Sequence, residues 1–268
     1  MQYVRLGGLV VSRFILGSNP FSGFSHQGTD RDWEMRRYFS AEKIKAVIRE
    51  AEELGVNTVL ARTDFHMMRL LYEYRADGGT AQWFAQTCPE VGDHAACVAR
   101  AATYGAVACH IHGGVMDFLL ANGRLGEIPE VVARIREHGM LAGIAGHNRH
   151  VFEWAEENLD VDYYMCCYYN PTDRDRNAEH VSGAEEMYLD EDRERMTRFI
   201  ARASRPVIHY KVLAAGRNDP ATALRYAAAR MRDSDMVCVG VFPGDVPDML
   251  RQDVDLLDTC WREHGLPG

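Results

Sequence analysis

The strongest constraint on the fold is a repeated unit. A short apolar or β-branched run ends in polar or glycine-rich residues, and an amphipathic helical pattern follows. Runs of this kind fall at 14–17, 58–62, 82–86, 106–112, 141–145, 163–168, 206–211 and 236–241. Helical patterns lie between them, at 41–54, 66–74, 94–104, 128–138, 151–159, 190–204, 220–231 and 248–263. In the first of these (AEKIKAVIREAEEL), Ile44, Val47, Ile48 and Ala51 recur on one helical face, and Ser40 suits the N-cap. Gly55, Gly105 and Gly139 close three of the patterns at the position where a left-handed residue ends a helix. Eight such alternations imply an α/β chain folded as one (β/α)8 TIM barrel over residues 1–268. A doubly wound open sheet is the rival arrangement.

Composition narrows the partners. The chain has 268 residues, 47% of them hydrophobic, enough for one large core. Its net charge of -9 argues against nucleic acid, whose phosphates draw cationic surfaces. No apolar run approaches the ~18 residues of a membrane span, and the opening MQYVRLGGLVVSR has no signal-peptide core. The seven cysteines lie in or beside apolar stretches with no CxxC pair. That pattern suits reduced thiols and a cytoplasmic protein. The expected partner is a small-molecule substrate, and the sequence sets no oligomeric state.

A barrel carries its function at the C-terminal strand ends. Those ends supply Asn19, Arg62, Asp64, His110, His112, His147, Asn148, Tyr168, Asn170, His209, Tyr210 and Lys211. Four histidines at one mouth are unusual, and two chemistries fit them. His112, His147, His209 and Asp64 would hold a divalent metal that polarises a carbonyl or activates water. Alternatively, His112 acts as acid or base, with His110, His147 and Asp64 as proton partners, while Lys211 and Arg62 bind an anionic substrate. Strand alternation puts His209 and Lys211 on one side and Tyr210 on the other. Asn19, Asn148, Tyr168, Asn170, Tyr210 and Arg217 are the remaining substrate-binding candidates. Arg217 follows Gly216 in the loop after the seventh strand, where barrels often bind phosphate. The polar connection 171–189, which carries His180, is a candidate lid.

Several stretches, taken in order, resemble the aldo/keto reductase superfamily. They are Tyr3 to Gly17 (YVRLGGLVVSRFILG), Val56-Asn57-Thr58, His112, Ile144 to Asn148 (IAGHN), Tyr168 to Pro171 (YYNP), Tyr210 to Ala214 (YKVLA) and Pro243-Gly244. The resemblance implies an N-terminal β-hairpin before the barrel and an NADPH-dependent carbonyl reductase with an Asp, Tyr, Lys and His tetrad. Carried over by position, only the His survives, as His112. The Asp, Tyr and Lys positions hold Leu60, Phe65 and Cys88. Around the implied nicotinamide, His147 replaces a Ser and Cys166 a Gln, while Asn148 and a stacking Tyr210 are kept. Asp245 stands where a basic residue would meet the 2′-phosphate. These departures favour a barrel enzyme acting on a small polar, sugar-like or phosphorylated carbonyl substrate by acid/base chemistry, as isomerase, lyase or hydrolase. The alternatives are an atypical NAD(P)H oxidoreductase with His112 as proton donor, and a non-catalytic binding barrel.

Overall fold

The computed structural model describes residues 1–88, 90, 92–178 and 185–265. A two-stranded antiparallel hairpin, β1 (Tyr3–Leu6) and β2 (Leu9–Ser12), precedes eight parallel strands. These are β3 (Phe14–Gly17), β4 (Thr58–Arg62), β5 (Gln82–Gln86), β6 (Ala108–Ile111), β7 (Leu141–Gly146), β8 (Tyr163–Cys167), β9 (Val207–Tyr210) and β10 (Met236–Gly240). They pair in chain order and close β10 against β3. The expected barrel and hairpin are therefore both present, and the open sheet is excluded.

The strands are buried on both faces, as in other parallel barrels. One face points inward: Ile15, Leu60, Phe84, Ala108, Ala145, Tyr163, Met165, Ile208 and Met236 form the lumen core. Val4, Leu6 and Val11 of the hairpin join that cluster. The hairpin thus plugs the barrel with apolar side chains that would otherwise face water. Cys109, Ile111, Val207 and the other alternate residues face the helices.

Ten α-helices surround the strands among the described residues: α1 (Thr29–Tyr38), α2 (Ala41–Glu53), α3 (Phe65–Ala76), α4 (His94–Thr103), α5 (Gly113–Ala121), α6 (Ile128–Glu137), α7 (Arg149–Asn158), α8 (Asp190–Ile200), α9 (Pro220–Ala228) and α10 (Met249–Glu263). In α2 the expected stripe of Ile44, Val47, Ile48 and Ala51 is buried, and the Ser40 hydroxyl accepts from the Lys43 amide at 3.3 Å. Burying its three branched side chains contributes roughly 1.5–3 kcal/mol each. No helix among the described residues is long and apolar enough to cross a membrane.

Two helices were not legible in the sequence. The first, α1 (TDRDWEMRRY), buries only Asp32 and Met35, so it shows no apolar stripe. The second, α5 (GGVMDFLLA), starts on the Gly113-Gly114 pair that reads as a flexible loop. Those glycines are close-packed instead. A Cβ on Gly113 would lie 3.0 Å from the Tyr210 hydroxyl and 3.2 Å from the Gly146 amide nitrogen, and one on Gly114 would lie 2.3 Å from the Ala178 carbonyl oxygen. The candidate lid 171–189 contains the buried Arg174. Its His180 lies outside the described residues.

Candidate active site

A chain of three side chains crosses the mouth between β6, β7 and β9. Asp117 comes from α5 and is 4% exposed; His147, at the end of β7, is 7% exposed. Asp117 Oδ2 lies 2.7 Å from His147 Nδ1, and the His147 and Asn148 amides also donate to this carboxyl, at 3.1 and 3.0 Å. On the other side of the ring, His147 Nε2 lies 3.4 Å from the Tyr210 hydroxyl. With Nδ1–H donating to Asp117, Nε2 is an acceptor for the Tyr210 hydroxyl, which lies at the same 3.4 Å from the Gly146 carbonyl oxygen.

Burial sets the charges. It pushes the Asp117 carboxyl up to about 7, against the pull of the Asn148 and His147 amides and of Arg174 and Lys211. It pushes the Tyr210 phenol well above its ordinary value, so the hydroxyl keeps its proton. It pulls the Lys211 ammonium below its ordinary value. Aspartate, imidazole and neutral phenol in sequence form a proton path.

Tyr210 is the member of this chain that lines a cavity of about 390 Å³. The cavity opens between the ends of β3, β9 and β10 and is floored by Leu60, Gln86, Met165 and Cys238. The segment 24–31 covers it and is tied on three sides. His26 Nδ1 meets Glu186 at 2.8 Å, Gln27 donates to the Ala215 carbonyl at 2.7 Å, and Arg31 pairs with Asp245. The volume is that of a small-molecule site.

Lys211 also lines the cavity. Strand alternation would send it outward with His209. The strand ends at Tyr210, however, and Lys211 adopts a left-handed φ of 54°, which breaks the alternation. His209 does face the helices. Its Nδ1 meets the Tyr168 hydroxyl at 2.9 Å and its Nε2 meets Asp235 at 3.3 Å, so both ring nitrogens are occupied away from the mouth. His209 and Tyr168 are therefore structural residues, which corrects their expected roles in metal and substrate binding.

The metal set is not assembled. Asp64 caps α3 by accepting from the Met67 amide at 2.8 Å, and it lies with Arg62 in a separate hollow. Among the described residues no three His, Cys, Asp or Glu side chains are grouped as a metal site. Arg62 is bound to Glu90 at 2.7 Å and approaches Asp64 at 3.6 Å, which leaves it engaged rather than poised for substrate.

His110 points into the lumen, with Nδ1 at 3.1 Å from the Tyr163 hydroxyl and Nε2 at 3.3 Å from Gln86 Oε1. Burial lowers it to about 3, so it is a neutral core residue. His112 does not line the cavity. Its Nδ1 is buried without a partner, and burial, Arg62 and His147 together disfavour its protonation. Asn148 caps α7. Asn170 is exposed, and its amide donates to Asp192. Arg217 holds the His26 carbonyl and stacks on Tyr188, bracing the covering segment. Asn19 lines the cavity. Sequence reasoning missed Asp117 and Arg174. The one signal for Asp117 was a lone charge within an apolar run from Gly113 to Ala121.

The positions implied for a reductase tetrad do not converge either. Phe65 is 65% exposed, lies under Arg100 and does not line the cavity. Cys88 is 2.6 Å from Arg62. Asp245 and Asp253 also line the cavity, and Arg31 is paired with Asp245 there. A cofactor 2′-phosphate would meet two carboxyls, so NADPH does not fit this lining.

The fold is a closed eight-stranded parallel barrel preceded by a hairpin, and it has likenesses among solved structures. Among solved structures, the chain is similar to an aldo-keto reductase from Bacillus halodurans in its holo form (12% identity, TM-score 0.64, covering 98% of this chain and 95% of that one). It is also similar to the glycerol dehydrogenase of Gluconobacter oxydans (12% identity, TM-score 0.55, covering 99% and 97%). A truncated 3-deoxy-D-arabino-heptulosonate 7-phosphate synthase from Thermotoga maritima is similar too (16% identity, TM-score 0.54, covering 98% and 90%). At such identities the likeness is one of fold. No protein-family model and no curated protein matches the chain.

Proposed function

We propose that this barrel is an enzyme that moves a proton next to the carbonyl of a small polar substrate, using Tyr210, His147 and Asp117 in series. The observation that carries the reading is the hydrogen-bonded chain from the buried Asp117 through His147 to a tyrosine on the cavity wall. In the reaction, the Tyr210 oxygen takes the substrate proton while the phenolic proton passes to His147 Nε2. The imidazolium formed is paired with the Asp117 carboxylate, and reversing both transfers returns a proton to the same or the adjacent carbon. The expected assignment of His112 as acid or base thus passes to Tyr210 and His147, because His112 lies off the cavity.

The test is proton exchange in D2O. Cofactor-free protein is incubated with dihydroxyacetone, glyceraldehyde, hydroxypyruvate and dihydroxyacetone phosphate, and loss of the carbon-bound proton is followed by NMR. Exchange that falls about 100-fold or more in Tyr210→Phe and His147→Gln supports the relay. A second reading, an NADH-dependent oxidoreductase, is favoured by one observation. Asp253 lines the cavity with a buried, unpartnered Oδ2 that would suit a ribose hydroxyl. A fluorescence titration with NADH separates the two. Saturable quenching without cofactor-free exchange would transfer the site to the second reading.

A further inference from the structure

Resting on the proton-transfer reading, we infer that the substrate carries a carboxylate or phosphate held by the Lys211 ammonium, with its hydroxyl-bearing end toward Asp253. Lys211 lines the cavity beside Tyr210, yet among the described residues its ammonium makes no hydrogen bond or ion pair. Arg62, the other cation expected to bind substrate, is engaged with Glu90 in a different hollow. Among the described residues that line the cavity, Lys211 is therefore a cation available to a ligand.

Its surroundings leave room for an added negative charge. Arg174 and Arg217 both act on it as like charges. The nearby carboxylate, Glu186, is already hydrogen-bonded to His26 at 2.8 Å and to the Tyr188 hydroxyl at 2.6 Å. An ammonium that is desolvated without a hydrogen-bonded partner is unfavourable, and a bound anion removes that penalty. The backbone is held to keep the side chain there. Lys211, Ala214 and Ala215 all have left-handed φ values, an unusual choice for residues with a Cβ. The turn is fixed by the Ala214 amide on the Lys211 carbonyl at 2.9 Å and by Gln27 on Ala215.

Another part of the lining is acidic, at Asp245 and Asp253. Asp245 is paired with Arg31, but Asp253 Oδ2 is buried and unpartnered. A carboxylate or phosphate would be repelled there, whereas a hydroxyl would supply the missing donor. The cavity is thus polar along its length, cationic at Lys211 and accepting at Asp253. An anionic, hydroxylated molecule would set its anion at Lys211, beside Tyr210, and its hydroxyl at Asp253.

Calorimetric titration tests this with three probes: inorganic phosphate, glycerate and glycerol. Wild type is expected to bind at least one anion, and glycerol at least tenfold more weakly. Lys211→Met should lose tenfold or more of the anion affinity, and Lys211→Arg should keep most of it. Whichever anion binds more tightly identifies the head group. Unchanged anion binding in a folded Lys211→Met protein, or equal binding of glycerol, would overturn the inference. Its failure is distinguishable from that of the relay. Exchange lost in Tyr210→Phe with anion affinity unaffected in Lys211→Met keeps the relay and sinks the anion site. The reverse pair of results does the opposite.

Discussion

Replacing Asp117 by Asn should separate stability from proton transfer. Burial raises this carboxyl from 3.8 to about 7. Each unit is worth about 1.36 kcal/mol, so ionising Asp117 costs about 4 kcal/mol more in the fold than in the unfolded chain. Between those two values the folded state holds the proton more tightly than the unfolded state does. This group therefore favours folding at about pH 4, and its contribution falls as pH rises towards 7 and stays low above it. Asn is close in shape to the protonated carboxyl and does not titrate. Urea unfolding of both proteins from pH 4 to 9 reads the difference directly. Near pH 4 the two should agree to within about 1 kcal/mol, and at pH 8 the variant should be more stable by up to about 4 kcal/mol. Proton exchange should move the other way. The Asn oxygen can keep the amides of His147 and Asn148, which turns its NH2 toward His147 Nδ1 and forces the proton onto Nε2. That nitrogen then no longer accepts from Tyr210, and the rate should drop by about 10² to 10⁴. Stability curves that run parallel from pH 5 to pH 8 would refute the desolvated carboxylate.

Two other substitutions probe the surroundings. In Gly113→Ala the new methyl meets the Tyr210 hydroxyl at 3.0 Å and His147 Cε1 at 3.2 Å, beside backbone that cannot yield. Exchange should fall about tenfold or more while unfolding free energy drops by only about 1–3 kcal/mol, as for overpacking; a rate within threefold of wild type would contradict this. Asp235→Ala removes the buried partner of His209 and Arg232 and should cost about 3–5 kcal/mol with no change in kcat. Against the push of burial, His209 and Arg232 hold the Asp235 carboxyl well below its ordinary value. Its stabilising contribution is therefore present above about pH 4 and lost on acidification, and chemical denaturation at pH 3 and pH 7 measures that loss.

The barrel was legible because its signal is repetitive. Three strands, β3, β4 and β5, have the bounds their apolar runs indicate, and the others differ by one or two residues at their ends. The site was legible only where a strand carries it. Tyr210, Lys211 and His147 were all found at strand ends, but Asp117 sits on a helix whose apolar run opens with two glycines. Its importance comes from three donors that reach it across 30 residues of sequence. Alternation failed at Lys211, where one left-handed residue reverses the side that a period of two assigns. The four-histidine mouth dissolved for the same reason that alternation works elsewhere: His209 lies one residue out of phase with the lumen.

The most direct test of the relay is the pH dependence of proton exchange, measured in wild type and in Tyr210→Phe with the best substrate of the panel. The relay needs Asp117 ionised and Tyr210 protonated. The wild-type rate should therefore rise through about pH 7 and hold a plateau beyond it, while Tyr210→Phe loses about 100-fold or more at every pH. A Tyr210→Phe protein that exchanges substrate protons at the wild-type rate, with the same pH profile, would contradict the account.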